Sequence, residues 1–222
     1  MDFEAARVKM VDNQIRPTDV TSHTVLSAFL DVPRDAFVPE KSKLLSYIDT
    51  DIQIAPASAA GGARYMMEPS PLAKLLQLAE ITEGDTVLEV GCGSGYTSAI
   101  LSHLAASVVA LESNEALVAE ATATLDGLQC SNVTVVTGEL EKGQPAKGPY
   151  DVIFLNGAVE VVPEALLSQL KDGGRLIAVQ GYGNAARAKV FSKERGTVAE
   201  WPAFNASVKP LPGFRKAADF VF

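Results

Sequence analysis

The sequence predicts an α/β fold, in which a mostly parallel sheet carries helices on both faces and follows an N-terminal helical segment. From residue 85 onward, short apolar runs alternate with segments of helical periodicity, as in a sheet whose two faces are covered. Before residue 85, most apolar residues recur at helical spacing. With 222 residues, 47% of them hydrophobic, the chain can bury the core of one large domain.

The N-terminal part is predicted to consist of short helices around one loop. Residues 55–64 have small side chains and include a glycine pair, which is typical of a loop. The other predicted elements are helices at 3–15, 20–30 and 40–48, an extended link at 34–38, a possible strand at 49–54, and a helix from Pro69 or Pro71 to about Ala79.

The C-terminal part is predicted to supply the sheet. Strands are expected at 86–90, 107–111, 132–137, 150–155 and 174–179, with further candidates at 186–192, 204–209 and 217–222. Helices are expected at 96–104, 114–125 and 163–170. Such alternation favours a parallel arrangement of the first five strands.

The first of these strands ends in an unusual turn, Glu89-Val-Gly-Cys-Gly-Ser-Gly95. Its three glycines remove side chains where the backbone would touch a ligand, and the following helix would direct its first amides to the same place. The pattern therefore predicts a cofactor site of the nucleotide type. The alternative is a tight strand-to-helix turn that binds nothing.

The glycine spacing discriminates between cofactors. A dinucleotide site has the pattern G-x-G-x-x-G, which would require glycine at Tyr96, so a pyrophosphate is disfavoured. The pattern Glu89-x-Gly91-x-Gly93-x-Gly95 resembles the first motif of class I S-adenosylmethionine-dependent methyltransferases, in which an acid faces the cationic end of the cofactor. A carboxylate at Glu89 is chemically suited to that position.

Two further strand ends complete the predicted site. Glu112 follows the second strand, where an acid can bind ribose hydroxyls. The alternative for Glu112 is a surface N-cap of the helix at 114–125, a role that Ser113 or Asn114 could fill instead. The third strand ends in Gly138-Glu139-Leu140, which is expected beside the adenine.

Over nearly its full length the chain resembles the protein-L-isoaspartate O-methyltransferases. The matching stretches include Met10-Val-Asp-Asn-Gln-Ile15, Val32-Pro-Arg-Asp-Ala-Phe-Val-Pro39, Leu88-Glu-Val-Gly-Cys-Gly-Ser-Gly-Tyr96 and Gln169-Leu-Lys-Asp-Gly-Gly-Arg-Leu176. The resemblance implies a Rossmann-like class I methyltransferase fold with a mostly parallel seven-stranded sheet and an antiparallel last strand. It implies S-adenosyl-L-methionine as cofactor and a protein or peptide acceptor that carries a carboxylate.

The resemblance also implies an internal organisation. Residues 1–80 would hold the helical segment and the substrate loop, and residues 81–222 the cofactor-binding domain, the two forming one compact unit. The residues expected to bind the cofactor are Glu89, Gly91, Cys92, Gly93, Gly95, Glu112, Gly138, Glu139, Leu140 and Asn156.

Two segments depart from the family pattern. Where the family usually has Thr-Ile-Ser-x-Pro, this chain has Tyr65-Met66-Met67-Glu68-Pro69, so a hydroxyl that could orient the acceptor or the cofactor is missing at Met67. Tyr65, Met66, Met67 and Glu68 are still the candidates for the substrate loop. After the fourth strand, Asn156-Gly157-Ala158 replaces the Thr-Ala-Ala to which the family tends.

Three functions are therefore compatible with the sequence. They are carboxyl methylation of isoaspartyl residues, methylation of another acceptor, and cofactor binding with weak or no turnover. A carboxylate acceptor is already ionised at neutral pH and needs no general base, so no catalytic residue is assigned. An amine or phenol acceptor would need one, but the positions of His23 and His103 on helices favour ordinary packing or exposure.

Composition restricts the partners. The net charge is −8 and the basic residues are scattered, so a nucleic-acid partner is disfavoured. The sequence contains no apolar run of membrane-spanning length, which predicts a cytoplasmic protein without a membrane partner. Cys92 and Cys130 lack metal-ligand spacing and are predicted to be small apolar core residues, with no metal site. Oligomeric state is not predicted.

Overall fold

The structure, a computed structural model, describes residues 2–57 and 62–215. Helices come first, and strands alternate with helices afterwards, so the predicted α/β class is confirmed. Within the described residues, no helix is both long and apolar enough to cross a membrane. The predicted strand at 217–222 and residues 58–61 of the predicted loop lie outside the described residues.

The N-terminal segment is helical, as predicted, but its helices are shorter than the periodicity indicated. Helix α1 (Phe3–Met10) begins at Asp2, whose carboxylate accepts a backbone N–H of the first turn. Helix α2 (His23–Asp31) begins later than predicted because the hydroxyl of Ser22 caps it. The other helical turns are a π-helical turn at Val11–Ile15 and 3-10 turns at Arg16–Thr18 and Glu40–Leu45, the last within the predicted helix at 40–48.

The extended link predicted at 34–38 is wrong, because Arg34–Phe37 form a 3-10 turn. Arg34 is fully buried, and its guanidinium donates to the carbonyl oxygens of Ser46 and Met67, each at 2.8 Å. A buried cation requires such acceptors, and the turn directs the side chain towards them. The sequence between Pro33 and Pro39 does not show that Arg34 is buried, because its acceptors lie on distant segments.

A hairpin lies between the helical segment and the main sheet. Strand β1 (Ile52–Ala55) pairs antiparallel with β2 (Arg64–Met66), and helix α3 (Pro69–Ala79) follows with Pro69 in its first turn. The predictions of a strand within 49–54 and of α3 are confirmed. The sequence does not predict β2, because three residues are too few to show strand alternation.

The main sheet has seven strands, as predicted. They are β3 (Thr86–Val90), β4 (Ser107–Glu112), β5 (Val133–Thr137), β6 (Tyr150–Val159), β7 (Leu170–Gln180), β8 (Arg187–Glu194) and β9 (Thr197–Asn205), in the spatial order β5-β4-β3-β6-β7-β8-β9. Strands β3 to β7 are parallel, β8 is antiparallel to β7, and β9 is antiparallel to β8. The strand that opposes the others is therefore β8 and not the outermost one.

Strand β9 overlaps the strand predicted at 204–209 only at residues 204–205. The chain reverses directly after β8 through Arg195 and Gly196, both with positive φ, so the next strand begins at Thr197. Most of β9 is exposed and it contains Pro202, features of an edge strand that weaken the apolar alternation used for prediction.

Two apolar clusters cover the two faces of the sheet. Successive residues of β3 alternate, so Val87 belongs to one cluster and Leu88 to the other. The larger cluster contains side chains of α1, α2, α3, α4 (Tyr96–Ser102) and α5 (Glu115–Gly127). The smaller one contains α6 (Glu164–Leu167) with Leu211 and Phe214, so both faces are covered as predicted. Because β4, β3 and β6 are adjacent and parallel, their carboxyl ends lie side by side at one end of the sheet.

Candidate active site

The glycine turn after β3 lies at the centre of the row of strand ends formed by β4, β3 and β6. Gly91, Gly93 and Gly95 all have positive φ, which accounts for the three glycines. A Cβ at Gly91 would lie 2.5 Å from Leu211 Cδ2, and one at Gly93 would lie 2.6 Å from Ile54 Cδ1. The turn is therefore crowded by apolar side chains from β1 and from the segment after β9.

Glu89 is fully buried beside this turn. Its two carboxylate oxygens accept hydrogen bonds from the hydroxyl of Ser98 at 2.5 Å and the amide of Asn156 at 2.8 Å. Burial raises the pKa of Glu89 to about 7, while the two hydrogen bonds lower it. A cationic group placed here would favour the ionised form, so Glu89 is suited to bind one.

Glu112 is also fully buried, at the end of β4. Its carboxylate accepts the backbone N–H groups of Gly93 at 2.9 Å, Ser113 at 2.8 Å and Asn114 at 3.0 Å. Asn114 caps α5, and its side-chain oxygen accepts two N–H groups of the first turn. The alternative of a surface cap for Glu112 is therefore wrong.

Arg64 contacts the site although the sequence does not predict it there. Its Nη1 donates to Glu112 Oε1 at 2.5 Å, its Nη2 donates to the carbonyl oxygen of Gly91 at 3.2 Å, and its side chain is only 5% exposed. In the sequence it is a single arginine after a run of small residues, and no local pattern connects it to an acid 48 residues away.

The remaining predicted cofactor residues differ in their surroundings. Cys92 is buried within the turn, and burial raises the pKa of its thiol well above the ordinary value. Leu140 is buried, and Gly138 donates its N–H to the carbonyl oxygen of Glu112 at 3.0 Å. The Glu139 carboxylate is exposed and pairs with Lys142 at 2.7 Å. These four residues thus follow β3 and β5, with the side chain of Glu139 exposed.

The substrate-loop candidates divide into two pairs. Met66 and Met67 are both 5% exposed and belong to the larger apolar cluster. Tyr65 is half-buried and Glu68 is partly buried, its pKa raised mainly by burial. The missing hydroxyl at Met67 is therefore replaced by an apolar side chain that packs into the core.

The two histidines lie outside this arrangement. His23 is exposed in the first turn of α2, and His103 is exposed directly after α4. This agrees with the simple interpretation of both as surface residues. Among the residues that the structure describes, no group of three or more His, Cys, Asp or Glu side chains could hold a metal ion.

A mostly parallel seven-stranded sheet, with buried acids at the ends of two adjacent strands and a glycine turn between them, is the arrangement of class I S-adenosylmethionine-dependent methyltransferases. Comparison with known proteins narrows this class. Residues 5–206 match the family described as protein-L-isoaspartate(D-aspartate) O-methyltransferase. The chain therefore belongs to the protein-L-isoaspartate O-methyltransferase family.

Individual relatives agree with this assignment. The chain is 38% identical to protein-L-isoaspartate O-methyltransferase 2 of Shewanella sediminis, over 94% of this chain and 83% of the relative. A solved protein-L-isoaspartate O-methyltransferase structure superposes with a TM-score of 0.82 at 27% identity, over 93% of this chain and 66% of the other. A Plasmodium falciparum protein crystallised with S-adenosyl-L-homocysteine has the same fold, with a TM-score of 0.77 at 18% identity, over 95% of this chain and 98% of its own.

Proposed function

We propose that this protein transfers the methyl group of S-adenosylmethionine to a carboxylate of a protein or peptide acceptor, with L-isoaspartyl residues as the acceptor class. The observation that carries the proposal is the pair of buried carboxylates, Glu89 and Glu112, on either side of the glycine turn in a member of this family. The hydrogen-bond partners described for Glu89, Ser98 and Asn156, are both neutral, so an ammonium group would add a cation to this buried carboxylate. On Glu112, the ribose hydroxyls of the ligand would replace the contact with Arg64.

The residues of the site fit this donor. Glu89 would bind the ammonium group, with Asn156 and Ser98 holding its carboxylate in place. Glu112 would accept the two ribose hydroxyls, for which it must first be released by Arg64. Buried Cys92 and Leu140 offer apolar surface for the adenine. Donor binding therefore requires the Arg64 side chain to leave the Glu112 carboxylate.

The reaction asks little of the protein beyond alignment. The sulfonium of the donor activates the methyl group for in-line displacement, and an acceptor carboxylate is already ionised at neutral pH. The chain must hold the acceptor oxygen opposite the sulfur and exclude water, which Ile54 and Leu211 help to do by covering the turn. No proton has to be removed from the acceptor, which is consistent with the exposed positions of both histidines.

The test is transfer of a labelled methyl group to an isoaspartyl peptide and to its normal aspartyl counterpart. We expect base-labile methyl ester on the isoaspartyl peptide and essentially none on the other. Equal labelling of both peptides would contradict the acceptor class. Tight donor binding with no labelling of either would instead favour the alternative suggested by the altered segment at 65–68, a cofactor-binding protein without isoaspartyl repair.

A further inference from the structure

An open cleft of about 800 Å³ lies beside the glycine turn. Tyr65 lines one part of it, residues of the segment 209–215 line another, and Tyr182, two residues after β7, adds a second aromatic ring. Its charged lining residues are Lys209, Arg215 and Glu160. Two cations at one cleft contrast with the net charge of −8 of the whole chain.

The segment after β9, residues 209–215, connects the cleft to the candidate donor site. Ala158 at the end of β6 donates its N–H to the carbonyl oxygen of Lys209 and accepts the N–H of Leu211, both at 2.9 Å. Leu211 lines the cleft and also lies against the turn, since a Cβ at Gly91 would be 2.5 Å from its Cδ2. The backbone that carries Lys209 is thus held directly beside the residues proposed to bind the donor.

Lys209 is bound loosely enough to accept another anion. Its Nζ lies 3.9 Å from Asp51 Oδ2, which is beyond hydrogen-bond distance, and 5.4 Å from the centre of the Tyr65 ring. Its side chain is 50% exposed. A cation that rests on an aromatic ring and a distant carboxylate can donate to an incoming carboxylate without breaking a direct hydrogen bond to either.

We propose that Lys209, supported by the phenol of Tyr65, binds the acceptor carboxylate. This inference rests on the proposed function and names the residues that orient its substrate. One carboxylate oxygen would accept a hydrogen bond from Lys209 while the other attacks the methyl carbon. The new C–O bond forms as the C–S bond breaks, the electron pair remains on sulfur, and the sulfonium becomes a neutral thioether, with no proton lost. Lys209 and Tyr65 thereby supply the donors that the family hydroxyl missing at Met67 does not.

The test uses Lys209→Met, which keeps the aliphatic stem and removes the charge. We expect a KM for the isoaspartyl peptide at least about 10-fold higher, the usual loss for a charge-assisted hydrogen bond, with the affinity for S-adenosylhomocysteine unchanged. Lys209→Arg should recover most of the loss. Peptide binding should weaken with added salt in the wild type, and less so in Lys209→Met.

Lys147→Met is the matched control. Lys147 is exposed in the turn before β6, at the amino-terminal ends of the strands, and its replacement changes the net charge by the same amount. It should leave KM and salt dependence unchanged. Absence of turnover in the wild type would contradict the proposed function but not the role of Lys209. That role is tested separately by calorimetric binding of the peptide in the presence of S-adenosylhomocysteine. Equal peptide affinity in the wild type and Lys209→Met, both folded by circular dichroism, would overturn the assignment of Lys209.

Discussion

At the scale of single residues, the contact between Arg64 and Glu112 sets a condition on donor binding. A ribose and Arg64 cannot both occupy the same carboxylate, so the chain's own arginine competes with the ligand. If the contact is favoured by about 1.4 kcal/mol, the apparent donor affinity falls about tenfold. Arg64 therefore affects donor binding, although it is not one of the residues predicted to bind the cofactor.

Arg64→Gln is expected to bind S-adenosylhomocysteine more tightly, by roughly tenfold if the closed contact predominates to that extent. Glu112 keeps its three backbone N–H partners in this variant, so its carboxylate stays satisfied. Glu112→Ala should do the opposite, since a lost charge-assisted hydrogen bond costs about 1.5–3 kcal/mol. Isothermal calorimetry measures both effects.

The control for this pair is Arg175→Gln. Arg175 bonds to Asp85 at 3.0 Å near the other end of the sheet, so its loss should lower stability without changing donor affinity. Weaker binding in Arg64→Gln would contradict the competition and make Arg64 itself a ligand of the donor. Unchanged binding in Glu112→Ala would remove Glu112 from the site.

At the scale of structural elements, the glycine turn and the hairpin form one unit. Gly93 has a φ of 58°, and a Cβ there would lie 2.6 Å from Ile54 in β1. Gly196, in the β8–β9 turn, has a φ of 76° with no atom within 4 Å of its Cβ position. Both glycines need a positive φ, but only Gly93 has a neighbouring side chain close to its Cβ position.

Gly93→Ala is therefore expected to weaken donor binding by about tenfold or more, because its methyl group would displace Ile54, which covers the turn beside which the donor would lie. Gly196→Ala carries similar backbone strain, about 1–2 kcal/mol, and should lower only the melting temperature. The measurements are calorimetric affinity for S-adenosylhomocysteine and thermal unfolding by circular dichroism. Equal affinity losses in the two variants would show that strain, and not contact, accounts for the effect.

The elements themselves show what sequence can predict. Strands β3 to β7 and the turn at 91–95 follow from local patterns, since each of these strands contains a short apolar run. Strand β9 and the turn at Arg34 could not be predicted, because exposure at the sheet edge and the partners of a buried cation depend on distant segments. The candidate site divides in the same way, with the acids predicted and Arg64 and Lys209 missed.

At the scale of the whole molecule, folding, proton binding and donor binding are coupled through Glu89. Its pKa is 4.5 as an ordinary glutamate and rises to about 7 in the folded protein, chiefly through burial. The folded state thus holds a proton that the unfolded chain has released between these two pH values. The stability from this proton is fully present below pH 4.5, falls as pH rises to about 7, and amounts to about 3 kcal/mol.

A bound ammonium group would favour ionised Glu89, so donor binding must release this proton. We expect the affinity for S-adenosylhomocysteine to rise severalfold between pH 6 and about 7 and then to level off, since the proton no longer has to be displaced. Glu89→Gln should bind more weakly and lose this pH dependence, while its unfolding free energy should decline less than that of the wild type over the same range. Calorimetry and urea unfolding at matched pH values measure both quantities. An identical pH profile of affinity in the wild type and Glu89→Gln would show that another group titrates, and Glu89 would then have no place at the cationic end of the donor.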